Sequence, residues 1–477
     1  MFQLPAELPI KFSPSTGRFH EVTSPNDQSL LTRVQYATAE DIARLLGTLP
    51  AAKKTVAALS KRDRARILSS VSRKVAEARE SFAWLISSEG GKPLRDARVE
   101  VDRAVATLEL CAEEVLRNHG ETIPLDRAAA GKNHTAFTTR DPIGAVVAIS
   151  AFNHPLNLLC HQVGCALAAG CPVVLKPAPA TPLCAFKLEE LFAAAGLPPG
   201  ALTVVHAEVP EIETLISSDR VDYVSFIGSP QVGWSLRRKI APGTRISLEH
   251  GGQAPAIVRA DADIGAAVTA LTKGSFYHSG QVCISTQRIF VEETVYRTFL
   301  EQFRASAEAL VVGPATDEAT DLGPLIRPRE VQRIQAWIEE ATRAGATLEC
   351  GNRASGKIKQ FLAPTILTNV PRDVTLMREE VFGPVVCVNP YADEAELLEY
   401  LNSNDYKFEA AVFTADLTRA LEIAGALSTM TVVINNHTAF RVDHMPFGGH
   451  KLSGLGMGGV RYAIEDMTRL KQIIIKA

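Results

Sequence analysis

IGAVVAIS at 143–150, LNLLCHQVGCALAAG at 156–170, PVVLK at 172–176 and LEELFAAAG at 188–196 set up a cadence of short β-branched runs and longer amphipathic ones. It continues through ALTVVH at 201–206, EIETLISS at 211–218 and VDYVSFI at 221–227, and another helical segment follows GSPQVG at 228–233. Strand-like runs separated by helix-length crossovers predict βαβ units, hence a mostly parallel sheet with helices on both faces. Pro and Gly mark the joints, as in GLPPG at 196–200.

Outward from this core, a second α/β set spans about 252 to 450, with helix-like ADIGAAVTALTKGSFYH and EVQRIQAWIEEATRAG and strand-like TVVIN. It reads as a separate domain. The chain has 477 residues, more than one hydrophobic core organises, so two or three domains are expected. Residues 1–110 read as helical surface, as in KRDRARILSSVSRKVAEARESFAWLISSE, whose charges recur at the spacing of a solvated face. Two β-prone stretches fit neither domain: 121–140, with HTAFTTR, and the C-terminal TRLKQIIIK. They predict a small sheet that joins subunits, because isolated edge strands invite pairing.

The charge balance excludes some partners. Fifty basic against 53 acidic side chains leave a formal charge of −3, which offers no electrostatic footprint for nucleic acid. MFQLPAELPIKFSPSTG lacks a basic segment followed by a long apolar run, and reads as an arm rather than a signal peptide. The apolar run at 158–175 is interrupted by His161, Gln162, Gly170 and Pro172, which argues against a membrane span. The eight cysteines contain no CxxC pair, so neither a zinc cluster nor a thioredoxin-like motif is expected, and a reducing cytoplasm is the natural setting. Seven of them read as small core-filling residues.

Cys283 is different. FYHSGQVCISTQR at 276–288 puts it in a polar, glycine-containing turn after an expected helix, where the sulfur is exposed and nearby amides can face a ligand. A thiolate is the nucleophile, and positive potential lowers a thiol from its reference pKa of about 8.5. From this segment alone a catalytic thiol and an ordinary core cysteine stand level. In isolation Glu249, before two glycines, reads as a surface turn, and GSPQVG as an ordinary turn.

The motifs taken together decide between these readings. AFNHPLN at 151–157, VVLKPA at 173–178, FIGSPQVG at 226–233, LEHGG at 248–252, GQVC at 280–283, EEVFGP at 379–384 and PFGGHKLSG at 446–454 follow one another as they do in one family. From about residue 30 to 477 the chain resembles the aldehyde dehydrogenase superfamily. The resemblance implies two doubly wound parallel-sheet domains and a small β oligomerisation sheet. The cofactor-binding domain would be Rossmann-like and take 1–120 and 141–251, the catalytic domain 252–462, and the oligomerisation strands 121–140 and 463–477, in a homodimer or homotetramer.

It also implies site residues. Cys283 would be the nucleophile that forms a thiohemiacetal and then a thioester, Asn153 the amide donor to the oxyanion, and Glu249 the general base for hydrolysis in a partly desolvated site. For NAD or NADP, Lys176 and Glu380 would hold the two riboses, and Phe382 would flank the nicotinamide, with Phe152 also at the cofactor. Gly228 and Ser229 would meet the pyrophosphate with backbone amides and a helix dipole. Gly233 would allow close packing beside the adenosine. No metal is implied.

Two positions depart from the family. Pro179 stands where many NAD-preferring members have Glu, which removes a repulsive charge against a 2′-phosphate. Met457 and Gly458 stand where Arg-Glu is common, which removes an accessory water-positioning carboxylate. Arg103 and Arg441 lie in segments that reach the substrate tunnel of related enzymes and, with His154 beside Asn153, would bind an anionic aldehyde. The resemblance is closest to members that act on small oxygenated or acidic aldehydes of the phosphonoacetaldehyde, lactaldehyde and succinic semialdehyde types. The alternatives are structural ion pairs for the arginines and a satisfied core histidine. A CoA-acylating semialdehyde dehydrogenase is the rival chemistry, and a catalytically idle binding protein on the same fold the rival class.

Overall fold

The computed structural model describes residues 1–11 and 17–476; within the N-terminal arm, 12–16 lie outside the described residues. Five parallel strands form the first sheet: β1 (Val146–Ile149), β2 (Val173–Lys176), β3 (Leu202–Val204), β4 (Tyr223–Ile227) and β5 (Arg245–Glu249), in the order β5-β4-β1-β2-β3. Chain order reverses beside β1, so a crevice opens at the carboxyl ends of β1 and β4. β1, β2 and β4 are buried along almost their whole length, which is why they read as continuous apolar runs rather than alternating ones, whereas β5 keeps Arg245 exposed.

The second sheet contains β6 (Pro255–Val258), β7 (Arg288–Glu292), β8 (Thr365–Thr368), β9 (Val385–Tyr391), β10 (Glu409–Phe413) and β11 (Thr431–Ile434), in the order β8-β9-β7-β6-β10-β11. All are parallel; Thr347–Cys350 adds an antiparallel edge beside β8. The two halves are sewn together where Gly454–Leu455 pairs antiparallel with β5, setting Gly454 opposite Glu249. The fold is α/β with two mainly parallel sheets, a third sheet that carries the C-terminal strand, and further small sheets among the described residues.

That third sheet is three-stranded, with Thr468–Lys476 on His134–Pro142 and Thr122–Ile123 beyond it. The structure departs from the expected boundary at 463, which falls inside the helix Val460–Asp466. That helix buries Val460 and Ile464 in the core that also holds Val146 and Leu175 of the first sheet.

The N-terminal expectation needs a correction as well. Lys61–Glu77 is amphipathic, with Ile67, Leu68, Val71 and Val75 inward and its charges outward. Arg79–Gly90, however, buries Phe82, Leu85, Ile86 and even Glu89, so the second part of that segment is interior rather than surface. Strands at Phe19–Thr23 and Leu30–Gln35 also precede the helices. Within LNLLCHQVGCALAAG the helix passes through a π-turn at Cys160–Gly164, a feature that often re-aims side chains at functional sites. No helix among the described residues is long and apolar enough to cross a membrane.

Candidate active site

A cavity of about 820 Å³ lies between the two sheets. Asn153 reaches it just after β1, Lys176 ends β2, Gly228 and Ser229 follow β4, and Glu249 ends β5. Parallel strands thus deliver these side chains to one edge. Cys283 enters from the opposite half, on the turn after helix Ile264–Phe276, and Glu380 and Phe382 precede β9. Every residue expected at the site lines this cavity except Gly233.

Gly233 is needed for another reason: a Cβ there would lie 2.0 Å from His250 Nε2. The glycine lets helix Pro230–Arg237 close onto the LEHGG segment. Gly251 does similar work, because a Cβ on it would lie 1.7 Å from Glu380 Oε1. The pyrophosphate reading also changes in detail. Gly228 N–H donates to Glu249 O at 3.1 Å, so that amide is spent inside the fold. Ser229 is the N-cap of the following helix and Pro230 has no N–H, which leaves the amides of Ser229 and the first turn beyond Pro230 for an anion.

The remaining features suit a dinucleotide. Lys176 is lowered to about 8 by burial, and Glu380 is raised to about 8 by burial, with its buried Oε1 lacking a hydrogen-bond partner. Polar groups left short of partners in this way fit ribose hydroxyls. Phe382 adopts φ +51°, an uncommon conformation for a bulky residue, and meets the Phe152 ring edge-on at 5.7 Å. The residues present therefore fit NAD(P).

At the reacting end, Asn153 Nδ2 donates to Gln281 O at 2.9 Å, which fixes the amide and leaves its second N–H for a ligand. Gln281 is held in turn, accepting from Ile326 N–H at 2.9 Å. Cys283 O accepts from Gly252 N–H at 3.1 Å and ties the nucleophile turn to the LEHGG segment. Burial and the Glu249 carboxylate push the Cys283 thiol well up, and Arg441 only partly opposes them. The positive potential that lowers a thiol is outweighed here, which favours the thiol form at rest. Glu249 is raised by burial against the opposing charges of Arg441 and His161, and its Oε1 has no hydrogen-bond partner.

The three residues assigned to a substrate anion fare differently. Arg103 lines the cavity, but its guanidinium grips Asp443 with bonds of 2.7 and 3.1 Å. Although burial works against its charge, Asp443 holds Arg103 above its usual value. His154 is pushed well below 6.5 by burial and by the charges of Lys92 and Arg103, so it is a neutral imidazole and not a cation. Arg441 is 8% exposed at its side chain and lies 3.6 Å over the Phe447 ring. Its nearest carboxylate, Glu249, is 3.9 Å away, and its Nε has no partner.

Sequence reasoning missed the support behind this arrangement. Asp443 accepts from His161 Nε2 at 2.9 Å and Asn157 Nδ2 at 3.2 Å as well as from Arg103. The π-turn aims His161 there. No local signal announced it, because Asp443 stands two residues from Arg441 in the sequence yet pairs with Arg103. Beside Glu249, on the side away from the main cavity, is a hollow of about 50 Å³ lined by Met457 and Gly458. The carboxylate missing at that place leaves Gly458, where a Cβ would lie 3.3 Å from Glu249 Oε2.

A family model, that of the aldehyde dehydrogenase family, matches residues 12–473. The 3-sulfolactaldehyde dehydrogenase of Priestia megaterium is 41% identical over 462 residues, covering 97% of this chain and 96% of that one. Among solved structures, glyceraldehyde-3-phosphate dehydrogenase from Methanocaldococcus jannaschii, complexed with NADP, superposes with a TM-score of 0.92 at 35% identity, over 97% and 100% of the two chains. Aldehyde dehydrogenase 21 from Physcomitrella patens, in complex with the reaction product succinate, does so with a TM-score of 0.95 at 34% identity, over 99% of each. With motifs, sheets and site in agreement, the chain belongs to the aldehyde dehydrogenase family and is an NAD(P)-dependent enzyme of that type.

Proposed function

We propose that this enzyme oxidises a small anionic aldehyde to its carboxylic acid through a thioester on Cys283 that water cleaves. The observation that carries the substrate class is Arg441, a buried guanidinium beside Cys283 whose nearest carboxylate is 3.9 Å away. A buried charge so weakly paired is expensive unless a ligand completes it. The compounds named in the relatives, 3-sulfolactaldehyde, glyceraldehyde-3-phosphate and succinate, are anions as well. Phosphonoacetaldehyde and succinic semialdehyde are the anionic candidates, and lactaldehyde, which carries no charge, is the neutral comparison.

In this mechanism the Cys283 thiol loses its proton to solvent water and the resulting thiolate attacks the aldehyde carbon, making a tetrahedral thiohemiacetal. The new oxyanion accepts the free N–H of Asn153, a donor worth about 2.7–4 kcal/mol where such groups have been removed elsewhere. NAD(P), held by Lys176, Glu380 and Phe382, would supply the hydride acceptor that turns the thiohemiacetal into the thioester. Glu249 then takes a proton from water as its oxygen attacks the thioester carbon, and the C–S bond breaks to return Cys283. A carboxylate raised by burial is a better base than one in water, which supports this assignment.

The test is a panel of anionic and neutral aldehydes with NAD and NADP, followed by absorbance of the reduced cofactor. Acid product without CoA supports hydrolysis; product that forms only when CoA is added would establish the acylating chemistry instead. Cys283→Ser abolishes turnover on this reading, and unchanged turnover would remove it. Subunit pairing is proposed through the third sheet, whose edge strand Thr468–Lys476 exposes Leu470, Ile474 and Ile475. Sedimentation at micromolar concentration should give a dimer or tetramer; a monomer would contradict it.

A further inference from the structure

Pro179 borders more than the main cavity. A side chamber of about 300 Å³ shares Phe152, Pro179 and Phe382 with it, and its other wall carries Arg327, Arg329 and Arg333. Against these three guanidinium groups stands one carboxylate, Glu330, on the same wall. Arg329 and Arg333 both spend themselves on it, at 3.3 and 2.9 Å. Arg333 also donates to Val381 O at 2.8 Å and stacks 4.5 Å over Trp337. Arg327, half-buried, forms no ion pair or side-chain hydrogen bond among the described residues.

The facing wall is held still. His20 Nε2–H donates to Pro179 O at 3.0 Å while Tyr36 O–H donates to His20 Nδ1 at 3.2 Å, so the imidazole is neutral and adds no charge. Burial lowers His20 from its usual value, and the charge of Arg327, which lines the same chamber as Pro179, adds to that effect. His20 and Arg327 also meet across a neighbouring hollow of about 340 Å³. The Pro179 side chain contributes neither an acceptor for a ribose hydroxyl nor a negative charge, and its carbonyl is engaged by His20.

We propose that Arg327 receives the 2′-phosphate of NADP across the cleft from Pro179, which makes it a determinant of cofactor choice. The chamber adjoins the cofactor cavity, its wall is net positive, and one guanidinium in it is uncommitted. A guanidinium fork matches a phosphate monoester, and the helix that begins at Pro328 adds its positive end. The inference rests on the NAD(P)-dependent reading of the main cavity.

The experiment is calorimetric titration of the intact enzyme with 2′-AMP, 5′-AMP, NADP and inorganic phosphate, repeated with Arg327→Gln and Arg327→Lys. The expected result is at least tenfold tighter binding of 2′-AMP than of 5′-AMP, a difference erased by Gln and partly kept by Lys. In turnover, the ratio of kcat/KM for NADP to that for NAD should fall at least tenfold in Arg327→Gln. Equal binding of the two nucleotides, an unchanged ratio in Arg327→Gln, or inorganic phosphate binding more tightly than 2′-AMP would each overturn the proposal. If no aldehyde is oxidised with either cofactor, the dehydrogenase reading fails on its own, and the two AMP isomers still decide the role of Arg327.

Discussion

Two sets of buried charges share the cavity and are built on opposite principles. Around Asp443 the set is closed: Arg103, His161 and Asn157 all donate to one carboxylate, which is held far below its ordinary value although burial works against it. Around Cys283 the set is open, for Glu249 Oε1 and Arg441 Nε are buried without hydrogen-bond partners. Folding alone favours closed sets, because an unsatisfied buried polar group costs about 1–3 kcal/mol. The open set is therefore where ligands and reacting atoms complete the bonding, and the closed set is the frame that aims it.

The sharpest way to break this contrast is Glu249→Gln. Loss of the base should lower kcat about 10²–10⁴-fold. A single-turnover burst of reduced cofactor should survive, with the acyl-enzyme visible by mass spectrometry. The sign with pH follows from a raised carboxylate, whose basic form is lost as pH falls through its pKa. The acid limb of kcat should thus lie above the ordinary glutamate value of about 4.3 and vanish in the variant. A burst lost together with turnover would assign Glu249 to acylation instead.

On the closed side, Asp443→Ala strips Arg103 of its partner and leaves an uncompensated buried charge. It should lower stability by about 3–5 kcal/mol, read from the urea midpoint. Arg441→Met removes a charge that the fold does not satisfy, and should cost little or even stabilise. Similar losses in the two variants would erase the distinction drawn between the sets. Asn153→Ala comes next, with an expected loss of about 10²–10³ in kcat and little change in stability, because only one of its amide hydrogens serves the fold.

How much of this was legible in the sequence depended on how local the signal was. The first parallel sheet could be read because β1, β2 and β4 are buried along almost their whole length and so appear as unbroken apolar runs such as VVLK and VDYVSFI. Asn153, Lys176, Glu249 and Cys283 could be proposed because each sits in a motif that carries the family resemblance, and one cavity brings the four together. The closed set was not legible. Asp443 is 340 residues from Arg103 and 282 from His161, and nothing within a short window announces those pairs. His161 also depends on a π-turn, which apolar periodicity does not encode. The Glu249 amide acceptor role was missed for the same reason, since the bond from Gly228 N–H to Glu249 O joins two strand ends and not two neighbours.

The smallest expected effect separates the two arginines themselves. If Arg441 is the open receptor for a substrate anion, Arg441→Met should reduce the ratio of kcat/KM for an anionic aldehyde to that for a neutral one of equal size. A hydrogen bond to a charged group is worth about 1.5–3 kcal/mol, which corresponds to roughly 10–100-fold in that ratio. Arg103→Met should change the ratio less, because Asp443 already occupies its fork, and should show itself mainly in stability. Arg441→Lys is the finer probe. It keeps the charge but loses the planar stack on Phe447, so partial recovery would assign the effect to charge, and none to the orientation that the ring imposes. A ratio that responded equally to both arginines would mean that the bond to Asp443 yields when substrate arrives, and the closed set would then be part of the receptor.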